Sequence, residues 1–385
     1  MTKLVFAQRL EQVQEYYFSK KLREVAQMRE QGHRILNMGI GSPDLAPHPQ
    51  VIEALQQSLG QENSHQYQSY QGLPELRQAA ADFYQRFYGV GLDPNQQILP
   101  LMGSKEGIMH ISMALLNPGD QVLIPNPGYP TYASVTKIVE AEPVFYELEA
   151  SQNWQPNFDA LEAMDTTRVK LMWVNYPHMP TGALNQKETY QKLVEWTSQR
   201  GIVLVNDNPY SFILNEDPQS ILSPDNLQGH VLELNSLSKS SNMAGWRVGF
   251  VCGAQPLINA VLKVKSNMDS GMFYGLQKGA IAALQLDENW YAQLNDIYRK
   301  RRAKVWQLAE VLGLSYDPQA VGMFVWARLN EKHPDPETFI DELLHKHHIF
   351  ITPGTIFGSQ GQGYVRFSLC VSEALIDEAI NRLRS

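Results

Sequence analysis

The sequence predicts an α/β protein built on a largely parallel sheet, joined to a smaller α+β unit. Two observations carry that expectation. From about residue 97, short apolar runs alternate with longer helical segments: Ile98–Met102, Gln121–Ile124, Val144–Tyr146, Val169–Val174, Ile202–Val205, Val231–Leu234 and Val248–Cys252. Short continuous apolar strands separated by helices suit a sheet that is covered on both faces. Beyond about residue 285 the helices become long and charged (Asp296 to Leu312, stopping at Gly313), and Met323–Leu329 and Tyr364–Leu369 read as strands.

Taken in order, the chain begins with apolar residues at helical spacing over 10–31 (Leu10, Val13, Tyr17, Leu22, Val25, Met28), ending near Gly32. This predicts an amphipathic helix packed on the second unit. Ile35–Gly39 and the turn-rich Gly41-Ser42-Pro43-Asp44 follow. A helix is expected at 49–59, and another after Gly72-Leu73, with Pro74 in its first turn. The expected division is a large unit over residues 46–285 and a small one from 1–45 and 286–385.

Bulk properties bound the class. A chain of 385 residues can bury two cores. With 43% hydrophobic and 19% charged residues, long disorder is not expected. The net charge of −8 and the lack of a basic stretch argue against a nucleic-acid partner. Two cysteines, Cys252 and Cys370, cannot build a disulfide framework, so a reducing compartment is expected. The first residues carry no signal-peptide core, and no stretch approaches the ~18 apolar residues of a membrane span. A soluble, cytoplasmic protein is expected.

In open α/β sheets, ligands bind beyond the carboxyl ends of the strands. The residues just after each run therefore bear on function. They are Gly103-Ser104-Lys105-Glu106-Gly107, opening a helix; Pro127-Gly128-Tyr129-Pro130; Asn175-Tyr176-Pro177-His178-Met179-Pro180-Thr181-Gly182; Asp207-Asn208-Pro209-Tyr210; and Ser236-Leu237-Ser238-Lys239. A glycine-rich helix start presents backbone N–H groups to a phosphate. Taken alone, each motif also has an ordinary reading: Ser104 as a helix N-cap, Asp207 as a turn residue, Lys239, Arg247 and Arg366 as surface or ion-paired side chains. Together they bring a phosphate-type cradle, a carboxylate, a lysine and two tyrosines to one edge.

In that order the motifs resemble the class I/II aminotransferases, fold type I of the pyridoxal-phosphate enzymes. The resemblance runs from Asn37–Asp44 to Arg366, and its most specific stretch is Ser-Leu-Ser-Lys-Ser-Ser-Asn-Met-Ala-Gly-Trp-Arg-Val-Gly-Phe at 236–250. It implies pyridoxal 5′-phosphate as cofactor, no metal, and transamination between an L-amino acid and a 2-oxo acid. Lys239 is then the lysine that holds the cofactor aldehyde as a Schiff base and afterwards moves the substrate proton. Asp207 pairs with the pyridine nitrogen and keeps it protonated. Tyr210 donates to the phenolic oxygen, Tyr129 stacks on the ring, and Asn175 belongs to the cofactor site. Gly103, Ser104, Lys105, Ser236, Ser238 and Arg247 surround the phosphate. Tyr67 matches a tyrosine that reaches the phosphate of a neighbouring subunit, which implies a homodimer with shared active sites. Arg366, a planar fork, clamps the substrate α-carboxylate, and the backbone of Gly41 approaches the same group.

Two departures bear on substrate. Family members usually carry an asparagine where this chain has Met179, and a thioether cannot donate a hydrogen bond to the phenolic oxygen. Asn175 and His178 are the candidates to compensate. The arginine that binds a side-chain carboxylate in aspartate-specific members would fall at Phe273, within Asp269–Tyr274, where there is no arginine. Gly-Ser-Lys-Glu-Gly-Ile and Pro-Gly-Tyr-Pro look like the subgroup with LL-diaminopimelate, alanine and aromatic aminotransferases. Met272, Phe273 and Tyr274 read either as an apolar substrate pocket or as dimer-interface core. A carbon–sulfur β-lyase on the same scaffold needs the same lysine, aspartate and arginine, so the motifs alone do not separate it. A non-enzymatic cofactor-binding regulator is disfavoured by the intact lysine and by the lack of an appended DNA-binding segment.

With Met179 in place of asparagine, the ionised phenolic oxygen loses a donor, and the apparent pKa of the lysine–cofactor linkage should rise. A spectrophotometric pH titration of the holoenzyme should therefore give a lower value for Met179→Asn than for the wild type; equal values would refute this.

Overall fold

The computed structural model describes residues 6–13, 17–223 and 229–384. After a two-residue strand β1 (Leu36–Asn37), the seven apolar runs become β2 (Ile98–Leu101), β3 (Gln121–Asn126), β4 (Glu142–Glu147), β5 (Val169–Val174), β6 (Val203–Asp207), β7 (Val231–Ser236) and β8 (Gly249–Gly253). They form one sheet in the order β2-β8-β7-β6-β5-β3-β4. Pairing is parallel from β7 through β6, β5 and β3 to β4, whereas β8 runs antiparallel to both β2 and β7. The reversal matters. The start of β8 lies among the carboxyl ends of the other strands, so Arg247, just before it, arrives at the same edge as Asp207 and Lys239.

Successive strand residues feed two separate cores, as strand periodicity requires. Met172 and Val174 pack in one cluster with Leu123, Leu204 and Phe250. Leu171 and Trp173 pack in the other with Val122, Val205 and Leu232. Both faces are therefore apolar, which is why the runs read as continuous rather than alternating.

One charge is buried inside the first of these faces. Glu233 on β7 is fully buried and accepts four hydrogen bonds. Tyr84 Oη and Ser220 Oγ each donate to Oε1 at 2.8 Å; Asn206 Nδ2 at 2.9 Å and the Ile221 backbone N–H at 3.0 Å donate to Oε2. Burial raises its pKa and the four donors oppose that rise. Asn206 also accepts from the Tyr176 N–H at 3.1 Å, so the network ties the end of β6 to the loop that follows β5.

The smaller unit is an antiparallel sheet of β9 (Ser315–Tyr316), β10 (Phe324–Arg328), β12 (Thr352–Pro353) and β13 (Tyr364–Ser368) in the order β12-β13-β10-β9. Strand β11 (Ile349–Phe350) pairs in parallel with β1, which fastens the N-terminal segment here. The long helix is Glu288–Val311, starting earlier than the Asp296 expected from sequence. Its N-cap is Asp287, which accepts from the Asn289 N–H at 3.1 Å, and its first turns bury Tyr291 and Leu294, so the apolar spacing that continues to Tyr298 begins ahead of the expected start. The expected helix over 10–31 is also revised. A 3₁₀ turn spans Gln8–Gln12 with Leu10 exposed, and the α-helix is Tyr17–Glu30. The part of that expectation on residues 14–16 lies outside the described residues. Val25 and Met28 carry the packing, against Leu344 and Phe350.

Glu233→Gln places an NH₂ group either against the Ile221 N–H and the Asn206 amide, which offer no acceptor, or against the Tyr84 and Ser220 hydroxyls, which must then turn away from donating, and in both cases it replaces charge-assisted bonds with neutral ones. The variant should lose about 2–3 kcal/mol of stability in a denaturant titration; an unshifted midpoint would show that the network is not a stabilising one.

Candidate active site

A cavity of about 500 Å³ opens at the carboxyl edge of the large sheet and is closed on the far side by the smaller unit. That size suits a small-molecule ligand. It is lined by Gly41, Ser104, Lys105, Tyr129, Asn175, Asp207, Tyr210, Ser236, Ser238, Lys239, Arg247 and Arg366, which the sequence singles out. Two expected residues are not in the lining. Gly103 lies immediately behind it. Tyr67 is 90% exposed and lies outside this cavity.

Asp207 ends β6, the middle strand of the sheet, and is buried. Tyr132 Oη donates to its Oδ2 at 2.9 Å, while Oδ1 is buried with no hydrogen-bond partner. Burial raises its pKa to about 6, opposed by the Tyr132 hydrogen bond and the Lys239 charge. A buried acceptor of this kind needs a donor from a ligand. Tyr132 is the residue that sequence reading missed. It lies one helical turn after Tyr129, on the helix Pro130–Ile138, and its ring stacks on Trp173 with centroids 5.0 Å apart. The recurrence of tyrosine at three-residue spacing in Tyr-Pro-Thr-Tyr was its only signal.

Lys239 sits on the short turn of helix Leu237–Ser240, whose N-cap Ser236 accepts from the Ser238 N–H at 3.1 Å. Its Nζ donates to the Gly41 carbonyl at 2.6 Å. Desolvation lowers its pKa, and the nearby charges of Arg366 and Arg247 act in the same direction. The Gly41 carbonyl is in turn held by its own turn. Asp44, three residues on, takes a bidentate pair from Arg301 of the long helix at 2.7 and 2.9 Å. A side chain at Gly41 would overlap the ring of Phe324. Tyr210 is buried with its ring edge-on to Phe324, and its pKa is raised by desolvation. Tyr129 is half-buried in the wall.

The cradle end is formed by the helix Ser104–Leu115. The N-cap position is Gly103, with no side-chain cap bond, so the reading of Ser104 as an N-cap is set aside: Ser104 is the first helical residue. Gly103 has φ +89°, a backbone conformation that favours glycine, and its open side is filled by the Arg247 guanidinium. Arg247 itself adopts φ +56°; its Nη1 donates to the Ala244 carbonyl at 3.0 Å and to Ser238 Oγ at 3.5 Å. The exposed Lys105 follows Ser104.

At the opposite end Arg366, on β13, is buried between two rings, 3.9 Å from the Phe324 centroid and 4.7 Å from that of Phe357. Its Nη2 donates to the Gly39 carbonyl at 2.9 Å and its Nη1 lies 3.3 Å from Met179 Sδ.

The candidates to replace the missing asparagine are engaged elsewhere. Asn175 lines the cavity, but its amide donates to the Asp207 carbonyl and accepts from the Met179 N–H at 2.8 Å, so it fixes the loop. His178 is buried and outside the lining; its ring nitrogens meet Thr181 Oγ1 at 2.7 Å and the Pro127 carbonyl at 3.1 Å, and desolvation lowers its pKa to about 3. Met272, Phe273 and Tyr274 do not line this cavity. Met272 is core, and Phe273 is 40% exposed.

The family model described as aminotransferase class I and II matches residues 33–383. The chain is 36% identical over 382 residues to the LL-diaminopimelate aminotransferase of Aquifex aeolicus, covering 99% of this chain and 98% of that one. Among solved structures, it superposes on substrate-bound BacF from Bacillus subtilis with a TM-score of 0.94 at 32% identity, covering 99% and 98% of the two chains. It also superposes on an aromatic aminotransferase from Pyrococcus horikoshii with a TM-score of 0.85 at 26% identity, covering 93% and 97%. The chain belongs to the class I and II aminotransferase family, and its fold is that of fold type I.

The folded Asp207 carboxyl keeps its proton up to about pH 6, whereas the unfolded one releases it near the ordinary aspartate value of 3.8. The folded cofactor-free chain therefore binds the extra proton across that window, and its stability falls as pH rises through it. Denaturation midpoints of cofactor-free protein at pH 4.5 and pH 7 should differ less in Asp207→Asn than in the wild type. Equal differences would mean that Asp207 does not titrate there.

Proposed function

We propose that this enzyme binds pyridoxal 5′-phosphate in the cavity and transfers the amino group of an L-amino acid to a 2-oxo acid. The observation that carries the cofactor reading is Asp207. A buried carboxylate oxygen without a partner, at the end of the central strand, matches the N–H of a protonated pyridine. The rest of the cavity fits the other ends of that group. The helix start at Ser104, with Lys105, Ser236, Ser238, Arg247 and the close backbone of Gly103, suits a phosphate. Tyr129 offers a ring face, and Tyr210 a hydroxyl for the phenolic oxygen. Asn175 serves indirectly, by holding the loop and the end of β6. When bound, pyridoxal phosphate supplies an aldehyde that condenses with amines and a cationic ring that takes up the electron pair left by a departing α-proton.

The chain's own groups supply positioning and proton transfer. Lys239, whose pKa desolvation lowers, is an amine placed to take and return a proton. Asp207, ionised once it faces a cationic N–H, keeps that proton in place. Arg366 presents a planar fork already fixed by two phenyl rings, which orients an α-carboxylate with little further loss of freedom.

The same reading includes a two-unit division at about residues 46–285 against 1–45 and 286–385, consistent with the separate apolar clusters of the two sheets. It also includes a homodimer. Tyr67 at 90%, Tyr70 at 45% and Phe273 at 40% exposure belong to one neighbourhood, because Gly271 packs on the Gln68 backbone. An exposed aromatic group of this size suits an interface, which would bring Tyr67 to the partner's cradle. Cys252 and Cys370 are both buried and free of disulfides, which fits a cytoplasmic location, and no helix among the described residues is long and apolar enough to cross a membrane.

Lys239→Ala should lose the borohydride-reducible cofactor adduct and slow turnover by ~10³-fold or more; an adduct that survives in the variant would contradict the assignment. Arg366→Lys should raise KM for amino and oxo acids alike by ~10–100-fold, with a smaller change in kcat. A KM that stays put would move the carboxylate site elsewhere.

A further inference from the structure

A second group of ligand-type side chains lies outside the cavity lining. Glu106 and His110 stand one turn apart on the helix Ser104–Leu115, so their side chains share a face. Asp269 reaches that face from the turn that follows the helix Gln255–Lys265. One ligand atom from each of the three residues lies within 4.8 Å of the other two.

His110 is the unusual member. It is 1% exposed, and neither ring nitrogen has a hydrogen-bond partner among the described residues. Its Nε2 lies 3.4 Å from Glu106 Oε1, but without hydrogen-bond geometry. The other Glu106 oxygen, Oε2, accepts from the Met102 N–H at 2.8 Å. Asp269 is divided in the same way. Its Oδ1 accepts from the Gly271 N–H at 2.8 Å and from Lys265 Nζ at 2.9 Å. Its Oδ2 is buried with no hydrogen-bond partner, although the Lys265 ammonium lies 2.9 Å away. The ammonium balances one of the two carboxylates, so a negative charge remains beside a buried imidazole. Protonating His110 would meet that charge, but it would give the ring two N–H groups where neither nitrogen faces an acceptor in hydrogen-bond geometry.

A metal ion meets the charge and takes up the imidazole lone pair. Tetrahedral zinc, with bonds of ~2.1 Å, holds its ligand atoms about 3.4 Å apart. Glu106 Oε1 and His110 Nε2 already have that separation. The widest spacing in the group, 4.8 Å, closes to it with a contraction of about 1.4 Å. An imidazole with two carboxylates suits zinc or a similar transition ion, whereas magnesium and calcium prefer shells of oxygen alone.

We propose that Glu106, His110 and Asp269 bind a structural zinc-type ion, with water as the fourth ligand. The ion is a brace and takes no part in transamination. Through Glu106 it holds the Met102 backbone, two residues ahead of Ser104, and so the entry to the cradle. Through Asp269 and Lys265, whose Nζ also donates to the Tyr70 carbonyl at 3.0 Å, it ties that entry to the segment carrying Tyr67 and Tyr70.

The test is metal content. Holoenzyme stripped with a chelator and then dialysed against zinc should retain one ion per chain by elemental analysis. Cobalt in its place should give ligand-field bands at longer wavelength than the cofactor band. His110→Gln and Glu106→Gln should each weaken zinc binding by ~100-fold or more. His345→Gln, at an exposed histidine on another helix, should leave it unchanged. Zinc should raise the thermal midpoint of the wild type and leave that of His110→Gln where it was. Wild type that retains no more zinc than His110→Gln, or cobalt bands that survive in that variant, would overturn the assignment. Either result leaves the transamination reading untouched.

Discussion

Asp207 is the constraint on which the site depends. It ends the central strand of the sheet, has one oxygen held by Tyr132 and has the other buried with no partner. Burial of this kind is unfavourable to a carboxylate, and it persists because the surrounding structure specifies it from several sides. The Asp207 carbonyl is held by Asn175, and its strand neighbour Asn206 is held by Glu233. Tyr132 is pinned by its stack on Trp173. The two cores on either face of the sheet keep these strands in register, so the site inherits the rigidity of the most buried part of the molecule.

The remaining groups reach the same place by different routes. Lys239 comes from the turn after β7. Arg247 comes from the start of the reversed strand β8. Gly41 arrives from the N-terminal segment, whose turn is fastened by the Asp44–Arg301 pair, and Arg366 arrives from the smaller sheet. The cavity is therefore a joint between two packed units: Asp207, Lys239 and Arg247 rest on one and Arg366 on the other. Met179 lies against Arg366 and the apolar wall, and the loop that carries it is held by backbone and amide bonds that do not use its side chain.

Most of the large sheet was legible in sequence because both of its faces are covered. The seven runs are apolar except for Gln121, Lys170 and Glu233, and each marks a strand. Signals weakened where polar residues do the structural work. The long helix starts at Glu288, where Asp287 caps it, and its opening turns bury Tyr291 and Leu294, an apolar spacing that an expected start at Asp296 passes over. The N-terminal helix was read too long because an apolar spacing that includes the exposed Leu10 continues past the α-helix itself. Tyr132 was overlooked because a tyrosine on a helix surface carries no mark of the carboxylate it will meet.

What the sequence by itself determined is the chemistry on offer and its order along the chain. Apolar periodicity sets the strands, and the residues that follow them bring lysine, aspartate, tyrosine, arginine and a glycine-rich helix start to one edge. These are local properties, recorded in neighbouring residues. Only the tertiary structure decided how those groups are partnered, because partners lie far apart in sequence. The reversed direction of β8 delivers Arg247. Asn175 and His178 turn out to be engaged in fixing loops. Asp207 is left with one unmatched oxygen, and Arg366 is seated between two phenyl rings beside a thioether. Desolvation and partner choice set pKa, and both depend on contacts made only when the two units close on each other.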